Sequence, residues 1–223
     1  VKSKILWPVA LILIFALSRW PGAMPQNFSA AYALFFCAGL CLPRRLAFFL
    51  PLGVMLLTDL LLTFCYYHTK DHTILAFARD QAGNYVSYAV LIWLGCALGA
   101  KKRSFATLWS GGILGAILFY LISNTGAWLG PGYGKTLAEW IRALTTGQPG
   151  YPPTWEFFRG TFLSGGIFTG LFVGAMKVSE AMDEAPVEKE EEEEEEEEAE
   201  AEAGEAEPSL APAAEDTGRP APS

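Results

Sequence analysis

An acidic side chain inside an apolar run is the first residue of this chain that asks for chemistry. Asp59 stands in "GVMLLTDLLLTF", and an ionisable group within a membrane helix costs about 2.5 to 3.5 kcal/mol on insertion scales. It needs a compensating partner or a wet cavity, so it either bonds neighbouring helices or faces a ligand. A second anomaly is "LFYLISNTGAWLG", where Ser123, Asn124 and Thr125 interrupt another apolar run. Asn124 supplies a donor and an acceptor, and Trp128, four residues on, shares its helix face and adds a flat apolar surface with one N–H. The pair suits a planar polar ligand, and it equally suits a helix cross-link beside an interfacial anchor. Tyr85 and Tyr88, three apart, share a face at the start of a further apolar segment, while Arg19 and Asn27 bracket the first loop and Arg159 begins the last segment.

Other patterns carry less. "HTKDH" sets His68 and His72 four apart, a spacing that could ligate a metal on a helix, but no further ligand accompanies them and no metal site is assigned. Cys37, Cys41, Cys65 and Cys96 stand in apolar surroundings and read as small buried hydrophobes. A phosphate-binding glycine loop, a serine elbow, an HExxH pair and a basic nucleic-acid footprint are all missing from the sequence. The chain is therefore read as a binding protein rather than an enzyme, with no catalytic residue, no cofactor and no nucleic-acid partner.

The elements that must hold these side chains are apolar helices. Hydrophobic residues make up 52% of the 223-residue chain, yet its net charge is −8, because two unlike parts are joined. Residues 1–177 form the expected membrane domain, and residues 178–223, with an unbroken run from Glu190 to Glu198, form an acidic Glu/Ala/Pro-rich tail. Such a tail has few apolar side chains to offset its chain entropy and its charges repel, so it is expected to be disordered.

Six apolar segments follow one another at 5–17, 30–42, 46–66, 85–99, 108–129 and 158–176. A hydrocarbon core takes about 20 residues of helix, so the third, fifth and sixth cross comfortably. The short three must borrow interfacial flanks or sit inside the bundle. The first resembles a signal peptide in its basic start, but Arg19, Trp20 and Pro21 stand where a small-residue cleavage site belongs, so it is read as a retained helix. If all six cross, Lys2, Lys4, Arg44, Arg45, Lys101, Lys102, Arg103 and Lys177 fall on one side. The positive-inside rule then puts both termini in the cytoplasm and the longer loops, 67–84 and 130–157, outside. Every conspicuous polar candidate lies in the outer third under that topology.

Three details complete the expectation. Leu137, Trp140, Ile141 and Leu144 recur at helical spacing, forming a short amphipathic helix that Gly147 is placed to end. Thr154 is expected to cap the last helix, with Glu156 near its positive end. Gly95 and Gly99, Gly111 and Gly115, and Gly166, Gly170 and Gly174 recur every four residues, which lets helix backbones approach closely.

The stretches "RWPGAMPQNFSAAYALFF", "FFLPLGVMLLTDLLL" and "FYLISNTGAW" together resemble an uncharacterised family of bacterial polytopic integral membrane proteins. That family in turn resembles the substrate-binding S components of energy-coupling-factor transporters. The resemblance spans about residues 19 to 176, excludes the tail, and has Arg19, Asn27, Phe28, Asp59, Asn124 and Trp128 as its landmarks. It implies a multi-pass protein of the bacterial inner membrane that takes up a small, vitamin-like solute with energising transporter subunits as partners. Asn124, Asp59, Tyr85, Tyr88 and Trp128 would line the pocket, with Arg19 and Asn27 at its rim. The competing expectation is a non-transporting scaffold whose acidic tail recruits a cytoplasmic partner.

Overall fold

A computed structural model of the chain describes residues 13–15, 18–19, 22, 24–25, 27–66, 74–100 and 103–205, and side chains within these except at 65–66, 74–76 and 183–205. Most of the first apolar segment, Lys2, Lys4, His68, His72, Lys101, Lys102 and the Cys65 side chain lie outside the described residues. The described chain is helical, with no strand: α1 is Ala31–Cys41, α2 Arg44–Leu60, α3 Ile74–Gly99, α4 Phe105–Leu129, α5 Leu137–Leu144 and α6 Thr154–Glu205. Beyond Leu60, α2 widens into a π-helical stretch, Leu61–Tyr66. The chain divides into two units, Val1–Lys177 and Val178–Ser223.

Four helical stretches are long and apolar enough to cross a bilayer: Arg44–Phe64, Phe77–Gly99, Phe105–Leu129 and Thr154–Met182. They display large apolar side chains outward, among them Phe49, Leu57, Trp93 and Leu171. A surface this apolar suits lipid and is unlike that of a soluble monomer, so the chain is a membrane protein by the length and composition of its helices.

The short second segment takes the other course open to it and sits inside the bundle. As α1 it has 11 residues, and Ala31 through Gly39 are all buried. A helix apolar on every side has no solvent face to present, and packing around its whole circumference is the arrangement such a sequence favours. Phe35 stacks on Tyr88 of α3 at 4.2 Å between ring centroids, and Tyr32 meets Phe119 of α4 at 4.7 Å. Around them Phe15, Leu34, Met55, Leu91 and Ile92 close the core.

Glycine decides how near α1 comes to α3. A methyl group on Gly39 would overlap the Ile92 carbonyl, and one on Gly95 would overlap the Phe36 carbonyl. The four-residue glycine series in α4 and α6 likewise serve packing within the chain: Gly111 faces Leu98 and Phe36, and Gly170 faces the Trp109 indole. That indole donates to the Gly166 carbonyl at 2.9 Å, fastening α4 to α6.

One expectation needs correction. The fourth segment starts not at 85 but at Ile74, because Arg79, Asp80, Gln81 and Asn84 are helical despite their polarity. Apolar periodicity locates the part of a helix that meets a core and misses turns that meet water or a cavity. The short helix α5 forms where the apolar spacing put it, with Leu137 and Ile141 exposed and Ala143 buried. The last helix, α6, runs on to Glu205. Glu and Ala, which dominate its second half, are both strong helix formers. Thr154 itself is the first residue of α6 and is buried, and Glu156 lies in its first turn.

The ends of α5 are formed as the sequence suggests. Thr136 accepts from the Glu139 N–H at 3.3 Å, and Gly147, at φ +71°, donates its N–H to the Arg142 carbonyl at 2.7 Å.

Candidate functional site

The polar candidates gather where α2 ends, α3 begins and α4 ends. Asp59, near the end of α2, is buried and ion-paired with Arg19 from the preceding loop. Its second carboxylate oxygen accepts the Tyr85 hydroxyl of α3 at 3.0 Å. Met55, one helical turn before Asp59, brings its sulfur within 3.0 Å of the other guanidinium arm. The Phe15 ring lies 5.8 Å from the guanidinium carbon. A charge removed from water requires this kind of enclosure, an opposite charge with hydrogen bonds to the remaining oxygens. One polar atom stays unsatisfied: Arg19 Nε is buried without a hydrogen-bond partner among the described residues.

Beside the ion pair opens a cavity of about 670 Å³. Arg19, Asn27, Asp59, Tyr88 and Asn124 all line it. Asn27 enters from the first loop in the left-handed region, at φ 55°, which asparagine tolerates better than most residues. Its carbonyl accepts the Tyr32 hydroxyl at 3.3 Å, and Thr161 of α6 donates to the same hydroxyl at 3.4 Å. Ser18 fastens the loop to α1 by accepting the Ala30 N–H at 3.3 Å. Asn124 donates its amide N–H to the Tyr120 carbonyl one turn back at 2.8 Å, and its side-chain oxygen has no partner among the described residues.

Two candidates stand apart. Tyr85 reaches the site only through its bond to Asp59 and does not line the cavity. Trp128 does not line it either; its indole donates to the Gly134 carbonyl at 2.9 Å, with the Lys135 ammonium 5.9 Å from its ring centre. Lys135 donates to the Trp128 and Gly130 carbonyls, both at 2.6 Å, and so caps the end of α4. Thr125 is occupied as well, accepting the Trp140 indole of α5 at 3.0 Å. Of the triplet that broke the apolar run, Asn124 and Ser123 face the cavity while Thr125 anchors the loop helix.

Sequence reasoning missed several lining residues: Tyr32, Thr63, Gln81, Asn84 and Ser123. Asn84 carried a readable signal, since it lies four residues before Tyr88 and so on one face with it. Thr63 did not, because it sits in the π-helical stretch, where ordinary helical spacing fails. Such wide turns recur at functional sites because they redirect side chains. Of the cysteines, Cys37 is buried, Cys41 lies 3.5 Å from the Met176 sulfur, and Cys96 is half-buried; none of the three lines the cavity.

The chain belongs to a family of unknown function, DUF6580, whose model matches residues 1–187. No match was found among curated proteins or among solved structures.

Proposed function

We propose that the protein binds a small polar solute in the cavity at the Asp59 end of its helical bundle. The observation that carries this reading is convergence. Side chains from the first loop, α1, α2, α3 and α4 supply hydrogen-bonding groups to one space of about 670 Å³, a size suited to a small molecule, and Phe157 of α6 adds an apolar wall. Because Arg19 and Asp59 neutralise each other, the site offers no net charge at that point and favours an uncharged or zwitterionic solute. The Asn124 side-chain oxygen, without a partner among the described residues, provides an acceptor. Binding without chemistry is the better reading because no nucleophile and base are paired among the lining residues.

The finer reading is an uptake subunit of the bacterial inner membrane, with its cavity facing outward and energising transporter subunits as partners. It rests on the likeness of three sequence stretches to an uncharacterised family that in turn resembles S components, and on the loop-charge pattern. A scaffold with an acidic recruitment tail is the second reading, and the site holds one observation in its favour. Trp128 and Thr125, both polar and both near the cavity, spend their hydrogen bonds on fastening the α4–α5 loop. Native mass spectrometry of the purified full chain separates the two: a solute adduct of one defined mass supports binding, and bare protein from several expression conditions supports the scaffold.

A further inference from the structure

At the other end of the bundle, α1, α2 and α3 enclose a groove of about 370 Å³ that the solute reading does not use. Leu40, Leu42 and Ala97 form its apolar side, around the seam where Gly39 approaches α3. Trp93, which also lines the groove, is 57% exposed, and its indole N–H has no partner among the described residues. Arg44 stands at the groove's edge, exposed, and makes no ion pair or hydrogen bond among the described residues. Arg45 follows it in the chain, and Arg103 lies just past the end of α3; both are exposed and likewise unpaired among the described residues.

We infer that this groove binds an anionic phospholipid, with a fatty-acyl chain along the apolar wall and the headgroup phosphate at Arg44. Each part of the groove meets one part of that ligand. Small residues leave room for a methylene chain against helices that already face hydrocarbon. An exposed tryptophan with a free N–H is suited to the level of the headgroups, where one end of the ring is apolar and the other wet. Unpaired arginine beside such a groove supplies the charge complement, and a guanidinium fork matches phosphate geometry. A zwitterionic lipid offers the same chain and phosphate but adds a cation that the arginines repel, so headgroup charge is the discriminating property. The site is independent of the cavity and stands or falls apart from it.

The test is native mass spectrometry of the full chain released from nanodiscs of palmitoyl-oleoyl phosphatidylcholine containing a minor fraction of palmitoyl-oleoyl phosphatidylglycerol. Phosphatidylglycerol should be retained over phosphatidylcholine by roughly fivefold beyond its share of the bilayer, the factor that one basic side chain supplies near an anionic headgroup. Arg44→Gln should bring the two lipids level while the melting temperature in pure phosphatidylcholine stays at the wild-type value. Arg159→Gln, at the far end of the bundle, should leave the preference intact. Retention in proportion to bilayer composition, or a preference that survives Arg44→Gln, overturns the inference. So does loss of the bound lipid on adding inorganic phosphate alone, which would mark a simple anion site.

Discussion

The Arg19–Asp59 pair is the residue on which the site's stability turns. Both side chains are mostly removed from solvent, at 21% and 11% exposure, so taking away one partner strands the other. Asp59→Ala should therefore destabilise the protein by on the order of 3 kcal/mol, seen as a lowered melting temperature in detergent. Replacing both, as Arg19→Met with Asp59→Leu, should recover most of that loss, because two apolar side chains leave no uncompensated charge. A double variant no more stable than Asp59→Ala would mean that the pair also holds the loop in place. Tyr85→Phe removes a single hydrogen bond to the carboxylate and should cost less, about 1.5 kcal/mol. Asp59 was legible as anomalous from its apolar surroundings alone. Its partner was not, since Arg19 lies forty residues earlier in a loop and no spacing rule connects them.

At the scale of elements, α1 and α3 are set by glycine contact. Gly95→Leu should abolish the folded state, because the added side chain meets the Phe36 carbonyl, which cannot move without displacing α1. Gly53→Ala in α2 is the contrasting case: nothing lies within 4 Å of the added methyl, so helix propensity alone should raise stability by about 0.5 to 1 kcal/mol. Absence of a cooperative unfolding transition in Gly95→Leu and a raised chemical denaturation midpoint in Gly53→Ala check both directions. The apolar runs made α2, α4 and the membrane part of α6 readable, and the four-residue glycine spacing announced close packing. Two features were hidden for physical reasons. The first turns of α3 face the cavity with Arg79, Gln81 and Asn84, so their polarity mimics a loop. Trp128 shares a helix face with Asn124 by spacing, yet the chain after α4 folds back and captures its indole. Local periodicity cannot foresee that.

The molecule as a whole joins a helical membrane unit to a second unit beginning at Val178. Truncation after Val178 should leave the melting temperature of the membrane unit unchanged, since the core residues Phe15, Phe35, Met55, Leu91 and Phe119 all precede it. A large drop would show that the acidic segment docks on the bundle. If the cavity opens outward as proposed, a cysteine replacing Lys135 should react with an impermeant thiol reagent on intact cells and one replacing Arg103 should not. The reverse pattern would invert the orientation and with it the uptake reading. The central claim is that the cavity exists to hold a solute, and Asn124→Leu tests it most directly. Leucine keeps the helix apolar and removes the side-chain oxygen of Asn124, which has no partner among the described residues. Native mass spectrometry and a melting curve on the same preparation should show the solute adduct lost and the melting temperature unchanged. A variant that melts early and still carries the wild-type adduct would contradict the account, because Asn124 would then be part of the scaffold and not of the site.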